Sequence, residues 1–146
     1  MAQSGDDVTG RTLEWRYDGN NKVWAYAYCE AGATALTPGM VQFYEGGYRY
    51  VAMADNTHTY LVGVPDGTIA SGDFAWIQIG GPADDVITAS LSVSVGHALK
   101  IYDGAVADAG ADFSGEAGEF AVNRTATTTA TAHDVILVPK YVLGTT

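Results

Sequence analysis

Side chains of opposite character alternate along most of this chain, and such alternation leaves little room for anything but β-strands. Within residues 23–29, Val23, Ala25, Ala27 and Cys29 fall on one parity and Trp24, Tyr26 and Tyr28 on the other. A strand there shows one small-residue face and one aromatic face. The same reading predicts strands over residues 40–44, 48–54, 58–64, 74–79, 86–95, 99–102, 120–123 and 135–138. Asp18-Gly19, Asp66-Gly67 and Asp103-Gly104 fall between strand runs and supply the positive φ of tight hairpins. The cleanest hairpin is predicted over residues 101–106, and Gly46-Gly47 joins two further runs. Gly80-Gly81-Pro82 is expected to end a strand, because proline cannot donate to a ladder. Residues 105–118 are alanines, glycines and acids, punctuated too often for a helix. They are expected to form a long surface loop with at most one helical turn. Residues 125–132 (TATTTATA) suit an edge strand or an extended connector, and an exposed edge of that kind is a candidate oligomer contact.

A chain of 146 residues holds one compact domain, here read as an N-terminal arm over residues 1–17 and a β domain over residues 18–146. Seventeen acidic against seven basic residues give a formal charge of -10, which repels phosphate backbones and anionic lipid heads. Neither nucleic acid nor a membrane is expected as a partner. A mean hydropathy of +0.03 and 11% aromatics are too apolar for a disordered acidic tail. Cys29 is the only cysteine, so no intrachain disulfide holds the fold, and the residue reads as a small core or interface side chain. Residues 1–10 lack the basic-then-apolar pattern of a secretory signal, and no apolar run approaches about 18 residues. A soluble product made in a cytoplasm is expected.

Motifs that carry chemistry are missing: no phosphate loop, dinucleotide fingerprint, nucleophile elbow, zinc-protease motif or EF-hand loop. No catalytic residue, metal or cofactor is expected. His58, His97 and His133 have no second ligand close by and read as solvated or locally hydrogen-bonded imidazoles. Asp103, Asp108, Asp112, Glu116 and Glu119 would have to gather as oxygen ligands to hold calcium, but their spacing matches no known loop, so a solvated loop is expected. Asp84 and Asp85 are adjacent, and adjacent strand residues point to opposite faces. They read as a solvated turn, not as a catalytic pair. The Asn123-Arg124-Thr125 sequon carries no meaning without secretion. The three tryptophans and most tyrosines suit either half-buried cross-strand pairs or a face for sugar or protein. Because both faces of the strand at residues 23–29 need cover, Trp24, Tyr26 and Tyr28 are read as an oligomer interface.

From Ser71-Gly72-Asp73-Phe74-Ala75-Trp76-Ile77-Gln78-Ile79-Gly80-Gly81 onward the chain resembles the capsid decoration, or cement, proteins of tailed bacteriophages. The shared order is a glycine turn into an aromatic-W-[IV]-Q-[IV]-x-G strand, a β-rich stretch ending in V-x-x-G-x-x-L, a hairpin around G-A-V and a closing apolar strand. The later parts are Val93-Ser94-Val95-Gly96-His97-Ala98-Leu99, Gly104-Ala105-Val106 and Val135-Ile136-Leu137-Val138, so the resemblance covers roughly residues 60–143. It implies a small β-barrel or β-tulip-like domain, usually trimeric, on the outside of the head at three-fold positions, bridging capsid subunits.

The expectation is therefore an all-β protein, a small β-barrel, β-tulip-like or sandwich domain with an N-terminal arm, forming a homotrimer. Its expected role is non-enzymatic: a virion structural protein that binds the outer capsid surface and stabilises the head, with the major capsid protein as partner. In residues 11–17 the alternation resumes, and a strand on a flexible arm can pair with a sheet edge of a capsid subunit. Leu13, Trp15 and Tyr17 are the expected capsid-binding residues. The alternative is a β-sandwich adhesin or head-fibre module that binds carbohydrate through surface aromatics.

Overall fold

The computed structural model describes residues 15–46, 49–52, 60–87, 93–102, 105–112, 114, 118–125, 132–138 and 141–142. Among these the regular structure is all strand. In chain order come β1 (Trp15–Tyr17), β2 (Val23–Tyr28), β3 (Gln42–Gly46), β4 (Arg49–Ala52), β5 (Tyr60–Gly63) and β6 (Phe74–Ile87). They are followed by β7 (His97–Tyr102), β8 (Ala105–Asp112), β9 (Glu119–Asn123), β10 (Ala132–Leu137) and β11 (Tyr141–Val142). Hydrogen bonds link them as β11-β5-β3-β4-β2-β6-β10-β9-β7-β8, with β1 alongside β2. The sheet is antiparallel apart from one parallel pair, Tyr28 with Arg49. It curls until Val64, just past β5, exchanges both backbone hydrogen bonds with Gln78 of β6 (2.8 and 3.1 Å). Among the described residues that contact is an isolated bridge and the strand order runs open from β11 to β8, so of the expected architectures the all-β class holds and a closed barrel does not.

β6 is the spine. Its first half pairs with β2 from Phe74 to Gly80, and its second half pairs with β10 from Gly81 to Ile87. The strand end expected at Gly80-Gly81-Pro82 is a bend instead. The proline falls where the β2 ladder has stopped, so its missing donor breaks nothing there. Gly81 has φ +82°, and a Cβ at that position would collide with the Asn21 carbonyl oxygen, so the bend presses backbone on backbone.

Each half of the spine buries its own core. Ala25, Ala27, Cys29, Leu36, Tyr50, Ile69, Ile77 and Ile79 fill the first. Val41, Val62, Val64, Ala83, Val86, Val93, Leu99, Ile101, Phe120, Ala121, Val135 and Leu137 fill the second. Cys29 is thus a core residue, its thiol donating to the Thr34 carbonyl at 3.4 Å.

Three local expectations need correction. Residues 105–112 are a strand, not a loop: β8 pairs with β7 from Tyr102 opposite Ala105 to His97 opposite Asp112. Gly110 keeps a positive φ (+72°) inside this strand, and the β7–β8 register shifts between His97 and Leu99. Cross-strand pairing, a tertiary effect, outweighs the weak local bias of alanine and glycine against strands. Glu119 is not solvated but buried, accepting from the Ser114 amide (3.0 Å) and hydroxyl. Asp84 and Asp85 lie within β6 rather than in a turn, Asp84 paired with Arg124 at 2.8 Å. Asp85 has φ +54° opposite the register shift of β10, and this bulge breaks the rule that neighbours in a strand face opposite ways. Among the histidines, His133 is buried and His58 lies outside the described residues. Asn123 is buried too, its side-chain amide donating to the carbonyls of Val93, Ser94 and Thr125, so the sequon is closed to a glycosylating enzyme in the fold.

Candidate functional site

Parity decides what the first half of the spine shows to the outside. With Ala25 opposite Ile77 and Ala27 opposite Ala75 turned to the core, the register puts Tyr26 opposite Trp76 and Tyr28 opposite Phe74 on the other face. The rings interlock. Tyr28 stacks on Phe74 with centroids 4.5 Å apart, Phe74 on Tyr26 at 5.5 Å, and Tyr26 meets Trp76 tilted at 5.3 Å. The guanidinium of Arg16, from β1, sits 4.8 Å above the Trp76 ring and caps that end of the row. Rings that face each other leave few free ring faces for a sugar to stack on. The row presents edges instead, which fit an apolar protein surface better.

A turn made by one carboxylate fixes the β1–β2 end. The Asp18 carboxylate accepts from the Trp24 indole N–H at 2.7 Å, from the Asn20 amide at 2.9 Å and from the Lys22 amide at 3.2 Å. These bonds, the indole first, hold its pKa below the ordinary carboxylate value. Trp24 thereby enters the fold with its polar atom satisfied.

The expected oligomer residues differ in what they leave open. Trp24 and Tyr26 are 7% and 3% exposed within the single chain. Tyr28 is half-buried, as are its neighbours Phe74 and Trp76. Ile77 and Ile79 occupy the core while Trp76 stands on the opposite face, its Nε1 buried with no hydrogen-bond partner among the described residues. Phe74 and Arg16 belong to the row and were missed, although the parity that links Trp24, Tyr26 and Tyr28 would extend to Phe74 once β2 is paired with β6. Of the expected capsid-binding residues, Leu13 lies outside the described residues. Trp15 pairs with Ala25 and Tyr17 with Val23 in β1, so this stretch is part of its own chain's sheet. Tyr17 is 67% exposed, its hydroxyl donating to Asn21 Oδ1 at 2.9 Å. The tract at residues 126–131 lies outside the described residues.

No family model matches the sequence, and the search of curated proteins also finds no match. Among solved structures the fold is similar to the N base of the head fiber gp8.5 of bacteriophage phi29. The match has a TM-score of 0.52 and 16% identity, and covers 83% of this chain and 98% of that one. At that identity the likeness is one of fold: this chain shares the all-β architecture of nearly the whole of that base.

Proposed function

We propose that this chain is a non-enzymatic structural protein of a phage head, a base domain that seats on the outer capsid surface with the major capsid protein as its partner. The observation that carries the reading is the likeness to the phi29 head-fiber base over almost all of that chain. The half-open aromatic row and the exposed Tyr17 supply an apolar surface for such a seat. Association as a homotrimer would make each modest contact act with the others, since every contact after the first is intramolecular.

A decoration role, in which the protein covers and stabilises the shell, is the second reading. It is favoured by the motif order over residues 60–143, which falls on β6, β7, β8 and β10. The carbohydrate-binding module is a weaker reading, because the rings face one another. Copy number separates the first two. Quantitative mass spectrometry of purified virions should find this chain on the head; a number comparable to the major capsid protein selects decoration, and a few copies per head select a fibre base. Absence from virions would overturn both.

A further inference from the structure

A groove of about 510 Å³ lies along the second half of β6, beyond the aromatic row. Its walls are fixed by backbone. Gly39 donates to the Pro65 carbonyl and accepts from the Ile87 amide, each at 2.9 Å. At φ +74°, with a Cβ position only 2.5 Å from the Asp85 carbonyl oxygen, Gly39 leaves the loop no slack. Such a groove is preformed and loses little entropy when it is filled.

Its chemistry is specific. Gln78 lines the groove and is 3% exposed. Its side-chain amide donates to the Gly80 and Pro82 carbonyls (3.1 and 2.6 Å), which fixes the orientation of the group, and its backbone is saturated by Val64. The Oε1 acceptor is left with no partner among the described residues. Asp66, Asp84 and Asp85 line the same groove, and among the described lining residues Lys22 is the one cation. Among the described residues the Arg124 guanidinium pairs with Asp84. The bulge at Asp85 is what brings two consecutive carboxylates to one groove. Pro38, Pro65 and Ile87, the last 41% exposed, supply apolar wall.

We propose that this groove is a socket for an arginine side chain of a protein partner. The aliphatic stem lies along the prolines and Ile87, and the guanidinium donates to Gln78 Oε1 and the Asp66 and Asp85 carboxylates. A planar fork of donors matches that spread of oxygens better than a point-charge ammonium does. The net charge of -10 favours a basic partner at long range as well. The socket is defined by its own chemistry and stands or falls apart from the head-docking reading.

The test is a nitrogen-15 NMR titration of the full chain with N-acetyl-arginine amide, compared with N-acetyl-norleucine amide and with sodium sulfate. Arginine amide should shift the Gln78 side-chain amide and the Gly39 and Ile87 backbone amides saturably, at concentrations of about millimolar. The Asp66→Asn, Asp85→Asn double variant, which keeps the side-chain shapes, should raise the half-saturation point about fivefold. No saturable shift with arginine amide, equal shifts with norleucine amide, or the same peaks moving with sulfate would each overturn the proposal. These three comparisons use the unaltered protein, so they decide the matter even if the variant fails to fold.

Discussion

Two residues show how single atoms fix this fold. At Gly81 a methyl group meets both a left-handed φ and the Asn21 carbonyl, whereas at Gly32 (φ +86°) nothing lies within 4 Å of the added carbon. Gly32→Ala should therefore cost only the backbone strain of about 1–2 kcal/mol. Gly81→Ala should cost clearly more, because the strand must also part from residue 21. Urea unfolding of the two variants measures the difference, and equal midpoints would mean that the bend yields freely. At Asp18 the consequence is one of pH. Its folded pKa is depressed, so the stability it contributes is present above the unfolded value of about 3.9 and is lost as pH falls through the lower folded value. Asp18→Asn should melt below the unaltered protein at neutral pH, with the gap closing as pH falls through the ordinary carboxylate range and then the lower folded value. A gap that stays constant across that range would show that the carboxylate charge does not hold the turn.

At the scale of elements, the aromatic row is a cross-strand device whose value lies in ring pairs. Trp76→Ala removes the Tyr26 contact and the Arg16 cap but also removes a buried unpaired N–H. The loss should be about 2–4 kcal/mol, below that of a fully buried tryptophan. A loss under about 1 kcal/mol, measured by chemical unfolding, would mean that the row is not packed. The sequence shows most of this architecture because strand faces are written into residue parity: β2, the first half of β6, and β9 follow directly from their alternation. It conceals β8 and the bend of β6. In both places glycine reads locally as a break, while what decides is strand pairing: with β7, two residues before it in the chain, for β8, and with the sequence-distant β10 for the second half of β6. The groove was hidden for the same reason. Lys22, Gly39, Pro65, Gln78 and Asp85 share no spacing, and the positive φ at Asp85 reverses the parity that alternation predicts.

On the scale of the whole molecule, the proposed seat requires an acidic domain to hold to a surface. Three copies would triple a charge of -10, so a lasting attachment needs apolar contact, a basic partner, or both. Residues 15–17 bear on this because β1 has two duties in the proposed seat. It pairs with β2 and carries Arg16 onto Trp76, yet Tyr17 remains 67% exposed with one hydrogen bond, to Asn21. An exposed tyrosine of this kind adds little to the fold, and Tyr17→Ala should change stability by no more than about 0.5–1 kcal/mol. If it belongs to the capsid seat, the same substitution removes a large amphipathic contact at an interface, where truncating such a residue costs about 2 kcal/mol or more. Heads prepared without this protein should then bind Tyr17→Ala at least tenfold more weakly than the unaltered chain, with melting temperatures nearly equal. Removing residues 1–14 while keeping β1 should likewise leave the domain folded and weaken head binding, if Leu13 and its neighbours extend the seat. Sedimentation of both proteins before mixing shows whether the loss comes through a change of oligomeric state. Unaltered head binding by Tyr17→Ala would move the seat away from β1, to the Tyr28–Phe74 end of the row.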